Sequence, residues 1–195
     1  MASIGDQQEK ISEARLEAIG KVLGTPDDEV LHSPIPIWLG GQADVIAFSK
    51  PRKGVSYVTT DLTGPPGESG CNYELMICAR RRSNWHANLI SQLAPYALEN
   101  TIRSGDTMSI EPASPSGSKI VALLFHTFAE FTFLKQKCDL RLCVGITKRE
   151  LEFKMREGTE SLIARLKEES IYPYTDLSRN SVSFARVAKS KRNRS

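Results

Sequence analysis

The chain is short of the features that mark a catalyst or a membrane protein. No apolar run approaches the ~18 residues that span a bilayer; the longest purely apolar one, Ile120 to Phe125, has the length of a buried strand. The opening MASIGDQQEK has no apolar signal core. These absences lead us to expect a cytoplasmic protein with no membrane partner. The four cysteines, Cys71, Cys78, Cys138 and Cys143, form no C-x-x-C pair. Their spacings suit alternating strand positions, so reduced core thiols are expected, not disulfides or metal ligands.

Catalytic signatures are equally sparse. His32, His86 and His126 lie far apart, and none has a ligand partner at metal-binding spacing. His126-x-x-x-Glu130 would share a strand face, unlike the helical H-E-x-x-H arrangement. There is no G-x-S-x-G elbow, and Gly117-Ser118-Lys119 lacks the glycine–lysine adjacency and upstream glycine of a phosphate loop. We therefore expect neither an enzyme nor a cofactor. The enzymatic alternative is a small hydrolase using His126 or His86 with a nearby carboxylate.

What is present is the material of one sizeable domain. A chain of 195 residues should remove roughly 70% of its unfolded surface from water. The net charge of +3 is concentrated at one end, where Arg186, Lys189, Lys191, Arg192 and Arg194 occur with no acid among residues 186–195. Without those five, 21 basic residues face 23 acidic ones. We expect a single domain over residues 1–182, with its helical segment 1–24 included, and a basic, flexible tail over 183–195. Such a tail could give weak, salt-dependent nucleic-acid tethering, a second alternative; the domain itself is not expected to bind nucleic acid.

Ile11, Ala14, Ala18, Ile19, Val22 and Leu23 have helical spacing, stopped by Gly24 and Pro26. Residues 25–42 read as loop, 43–49 and 55–62 as strands about a turn at 51–54, and 64–70 as surface loop. Tyr73, Leu75, Ile77 and Ala79 alternate with Glu74, Met76, Cys78 and Arg80 in a third strand. Arg80-Arg81-Arg82 at its end reads as a solvated edge that could equally attract an acidic partner. Trp85, Leu89, Leu93 and Tyr96 then fall on one helical stripe, with a break or kink expected at Ala94-Pro95 and Trp85 as a core anchor. Residues 107–111, 119–126 and 129–134 are further strand candidates. The clearest strand sets Leu140, Leu142, Val144 and Ile146 on one face, and it runs into Thr147-x-x-Glu150, a capping box. A helix with Leu151, Met155, Leu162 and Leu166 on one side follows, interrupted at Gly158. Grouped strands with intervening helices predict an α+β or α/β domain: a central mixed, largely antiparallel sheet flanked by helices.

Several blocks, in order, resemble the suppressor-of-fused domain family: VSYVTTDLTG, YELMI with its Trp-led helix, LAPYALENTIRSGD, LCVGITKREL and YTDLSR. They span about residues 44–182. The resemblance implies a helix-flanked mixed sheet and a non-enzymatic role: binding a protein partner. In animal relatives the domain grips an extended segment of a Gli-type transcription factor, whereas single-domain bacterial relatives are associated with immunity against toxins or other intracellular binding. Two positions transfer, Tyr96 from the A-x-Y helix and Asp106 from the S-G-D turn, both facing the peptide in the animal protein. We expect this chain to depart in having no second, C-terminal domain of the kind that closes over the ligand there, and residues 59–64 match the family's turn loosely.

Physically, a tyrosine beside an aspartate suits peptide capture. The ring gives apolar area at little entropic cost, while phenol and carboxylate can meet backbone N–H groups or a cationic or imidazole side chain. A segment along a sheet edge could add main-chain bonds. The competing reading makes Tyr96 core, continuing the stripe of Trp85, Leu89 and Leu93, and Asp106 a cap for the turn that Gly105 permits.

Overall fold

The apolar alternation read along the chain carries through to strands that are buried on both faces, β2 (Val45–Phe48), β3 (Val55–Thr59) and β4 (Tyr73–Ala79) above all. The structure, a computed structural model, describes residues 4–35, 37–39, 41–51, 53–65 and 70–184. The basic segment 186–195 and residues 66–69 of the expected surface loop lie outside them. Helix α1 (Ile4–Leu23) and β1 (Val30–Leu31) precede β2. After β4 come α2 (Asn84–Glu99), β5 (Thr107–Ser109), β6 (Ile120–Phe133), β7 (Gln136–Thr147), α3 (Lys148–Glu157) and α4 (Thr159–Glu168).

The strands form one seven-stranded sheet in the order β1-β2-β3-β4-β7-β6-β5. Every neighbouring pair is antiparallel except β4–β7, which is parallel. This is the mixed, largely antiparallel, helix-flanked sheet expected from the sequence. Ile90, Leu93, Ala94 and Ala97 of α2 pack on one face over Leu75, Ile77, Leu123 and Phe125. Ile19 and Leu23 of α1, with Leu162, Ile163 and Leu166 of α4, cover the other face over Met76, Leu140, Leu142 and Val144. Among the described residues no helix is long and apolar enough to cross a membrane.

Several local expectations give way to tertiary structure. Helix α2 runs through Pro95 without a break. A proline there leaves the Ser91 carbonyl without its usual helical donor; Ala43 N–H donates to that carbonyl at 3.4 Å, and the Ser91 hydroxyl donates to Ala43 O at 2.6 Å. The helix thus trades one internal bond for an anchor on the segment entering β2. The two strands expected at 119–126 and 129–134 are one strand, β6, with a register shift between Thr127 and Ala129. It returns into β7 through Leu134 and Lys135, both at positive φ (46° and 67°), as a two-residue hairpin turn of matching twist requires.

The arginine run is not a solvated sheet edge, because β4 is central. Arg80 donates to Ser170 O and lies 4.6 Å over the Tyr174 ring, while Arg82 pairs with Asp27 and Glu29. The capping box forms as expected: Thr147 Oγ1 accepts from Glu150 N–H, and Glu150 accepts from Thr147 N–H. Gly158, at φ 86°, separates α3 from α4, and Met155 is turned out to solvent, not onto the core stripe.

Candidate functional site

The connection from α2 to β5 is fastened from beneath by side chains of β4 and β7. The Tyr73 hydroxyl donates to Ala97 O and accepts from Ile102 N–H, each at 3.3 Å, and the Cys71 thiol donates to the same Ala97 carbonyl at 3.1 Å. Arg141, buried between Leu140 and Leu142, donates to Ile102 O at 3.1 Å and to Asp139 Oδ2 at 2.7 Å. Its guanidinium lies 5.1 Å over the Tyr73 ring.

Beyond Ile102 the chain makes the Ser104-Gly105-Asp106 turn. Gly105 sits at φ 96°, in the left-handed region that glycine enters at little cost. Its N–H donates to Phe125 O at 2.7 Å, Phe125 N–H donates to Asp106 O at 3.0 Å, and Thr127 N–H donates to Ser104 Oγ at 3.1 Å. The turn therefore prolongs β5 along β6, beside the bulge at Thr127–Ala129. Bulges commonly re-aim backbone next to functional sites.

Asp106 does cap this turn: its Oδ2 accepts from Arg103 N–H at 2.8 Å, and its own N–H donates to Arg103 O at 3.1 Å. It is also solvent-exposed, and among the described residues its Oδ1 has no partner. Tyr96 is 46% exposed. The stripe read from the sequence is rotated: α2 buries His86, Ala87, Ile90, Leu93, Ala94 and Ala97, which turns Tyr96 outward and half-buries Trp85 and Leu89. Trp85 Nε1–H donates to Ala113 O at 3.0 Å, tying the start of α2 to the chain that follows β5. Tyr96 and Asp106 thus stand exposed near the two ends of the α2–β5 connection.

Strand β5 ends the sheet, and no strand among the described residues pairs with its outer side. Asp106 O and Ile110 N–H point toward β6. By the alternation of an antiparallel ladder, the backbone groups of Thr107 and Ser109 point away from it.

The histidines have other company. His86 is buried, donates through Nε2 to Thr175 O at 2.8 Å and stacks on Tyr57; burial pushes its pKa down, keeping it neutral. His126 is held by the Tyr172 hydroxyl at 3.3 Å and by Glu160 at 3.5 Å, with burial again the main downward influence. His32 is exposed and pairs with Asp44 at 2.7 Å. All four cysteines are free thiols, three of them buried, and burial pushes Cys71, Cys138 and Cys143 upward. No group of three His, Cys, Asp or Glu side chains among the described residues could hold a metal ion.

The sequence reading missed Arg141 beneath the turn and the buried carboxylate contacts that tie loops to the sheet elsewhere. Glu74, fully buried in β4, accepts from Thr59 Oγ1 at 2.6 Å, Thr63 N–H at 2.8 Å and Thr63 Oγ1 at 2.7 Å, with the Arg15 guanidinium 3.7 Å away. Glu150 likewise receives both terminal nitrogens of Arg179 and the Val182 N–H. The available signal was a charged residue inside a strand too apolar to be an edge: Glu74 in YELMI and Arg141 in LRLCV.

The fold and this turn define a helix-covered mixed-sheet domain with an open strand edge flanked by Asp106 and an exposed Tyr96 at the other end of the α2–β5 connection. The chain belongs to the suppressor of fused protein (SUFU) family, whose model matches residues 41–180. Among curated proteins none matches it. Three solved structures are similar at the level of fold. A Sufu–Fu complex crystal structure matches with a TM-score of 0.70 and 17% identity, covering 87% of this chain and 91% of that one. Drosophila Suppressor of Fused gives the same TM-score, 0.70, and 17% identity over 87% of this chain, which spans only 50% of the Drosophila chain. A putative SUFU homologue from Neisseria gonorrhoeae matches with a TM-score of 0.67 and 16% identity, over 91% of this chain and 99% of that one.

Proposed function

We propose that this domain binds an extended segment of a partner protein along the outer edge of β5 and sequesters it by contact, without turnover. The observation that carries the reading is the open edge itself: outward backbone groups at Thr107 and Ser109 and an Asp106 carboxylate with one oxygen fixed and the other without a partner among the described residues, with the exposed Tyr96 ring at the other end of the α2–β5 connection. Main-chain pairing supplies affinity in strand augmentation, and flanking side chains supply selectivity. The crystal structure of a Sufu–Fu complex, similar in fold, supports the reading.

The test begins with capture of partners and their identification by mass spectrometry. Tyr96→Ala and Asp106→Ala should each weaken the captured complex about tenfold or more, as central interface residues do. Asp106→Asn can keep the Arg103 bond through its amide oxygen and removes only the charge, so it separates turn closure from partner contact. Unchanged affinity in both alanine variants, with native circular dichroism, would sink the site assignment.

As the finer form of this reading we propose neutralisation of a toxin domain, the role that the family resemblance implies for single-domain bacterial members. A toxin-bearing neighbouring gene, and rescue of growth when the two are co-expressed, would bear it out; a captured partner unrelated to any toxin would overturn it. This reading puts the protein in the cytoplasm.

A further inference from the structure

We propose that Arg141 is a positioning residue for the docking edge: it orients the peptide plane that holds the Asp106 carboxylate, and so presets the edge before any partner arrives. The inference rests on the β5-edge reading and extends it to a buried residue that touches no partner.

The geometry lies in one amide. Arg141 takes the carbonyl of Ile102 at 3.1 Å, and the N–H of the same peptide unit, that of Arg103, is donated to Asp106 Oδ2 at 2.8 Å. Carbonyl and N–H of a trans peptide point in opposite directions from one rigid plane. Fixing the carbonyl therefore fixes the direction in which Arg103 N–H holds the carboxylate, and with it where the free Oδ1 points. Tyr73 clamps the other side of the same residue by accepting Ile102 N–H.

A second path reaches the far end of the turn. Asp139 Oδ2, the ionic partner of Arg141, also accepts from the Thr127 hydroxyl at 3.4 Å, and Thr127 N–H holds Ser104 Oγ. One buried guanidinium thus reaches both Ile102 and Ser104, the residues that frame the turn.

The position makes little sense as a source of stability. Arg141 is 6% exposed, its Nε lacks a partner among the described residues, and Leu140 and Leu142 flank it in the strand. Removing such a charge from water is costly, and a well-packed apolar side chain of similar size is often neutral or better for stability. What the guanidinium adds is direction, since its planar fork can hold two acceptors at a set angle.

The experiment uses the full chain, with Arg141→Met to remove the fork while keeping length and Tyr73→Phe as the milder variant should the first fail to fold. Leu162→Ala, on the opposite sheet face, is a control that lowers stability without touching the turn. Amide hydrogen exchange by NMR should show Arg103 exchanging about tenfold faster in Arg141→Met, and measurably faster in Tyr73→Phe, while core amides of β7 keep their protection. In Leu162→Ala the turn and the core should change together.

Binding is then read with the tightest member of an array of ten-residue peptides. Arg141→Met should weaken it, and combining Arg141→Met with Asp106→Ala should weaken it no further than Asp106→Ala alone, because one acts through the other. An unchanged Arg103 amide in both turn variants, or additive losses in the double variant, overturns the proposal. If Asp106→Ala leaves the peptide bound as before, the edge reading fails and takes the binding role of Arg141 with it, while the amide data still report whether the clamp exists.

Discussion

Glu74 shows how much one residue can organise. Burial pushes its carboxyl above the ordinary range, opposed by the Arg15 guanidinium and by donors from Thr59 and Thr63. It fastens the 59–63 loop to β4 and receives α1 through Arg15, which itself donates to the carbonyls of Thr60 and Thr63. Truncating one side of a buried pair strands the other charge, so Glu74→Ala should cost about 3–5 kcal/mol in urea unfolding. Glu74→Ala combined with Arg15→Met should cost clearly less than the two single losses together. Alternation alone placed Glu74 on the strand face that carries Met76 and Cys78. It could not say that a loop from the other side of β3 would be waiting there, because that partner is fixed only when β3 and β4 pair. The competing core reading of Tyr96 gives way for a related reason: several stripes on α2 were apolar enough to face inward, and packing over β3 and β4 selected one rotated away from it.

At the scale of elements, what could be read from sequence depended on whether the deciding bond was local. The Thr147 capping box closes within one helical turn and formed as expected, while the fate of Pro95 was decided by Ala43 from outside the helix. Ser91 links these scales, since its hydroxyl and carbonyl take both backbone groups of Ala43. Ser91→Ala should leave Ala43 O buried without a donor and lower stability by about 1–3 kcal/mol, read as a lower denaturation midpoint with an unchanged slope. The single long β6 was likewise hidden, because a bulge at Thr127–Ala129 interrupts the period-two pattern that would have joined its halves.

For the molecule as a whole, the buried histidine sets a pH response. Burial lowers the pKa of His86 in the native state, so below its ordinary value of 6.5 the unfolded chain binds a proton that the folded one resists. Its contribution is present above that pH and lost as pH falls, by up to about 1.4 kcal/mol per pH unit. Burial also pushes Glu150 up, but its hydrogen bonds and ion pair with Arg179 outweigh this and hold it below 4.5, so a second loss begins only beneath that value. Thermal midpoints between pH 7.5 and 5.5 should therefore fall in the wild type and fall less steeply in His86→Gln, which can still donate to Thr175 O. Parallel slopes would remove His86 from the account.

The parallel β4–β7 ladder, with Cα partners from Tyr73↔Asp139 to Met76↔Leu142, is the seam where two antiparallel groups meet, β1 to β4 on one side and β5 to β7 on the other. Each group can zip up from near neighbours in the chain, but the seam needs segments that are far apart in sequence to find each other. Glu74 faces one side of the sheet within that seam, and Tyr73 and Arg141 face the other. Joining that seam is thus what brings Tyr73 and Arg141 together beneath Ile102, so a half-joined molecule would carry an edge with no fixed shape to offer.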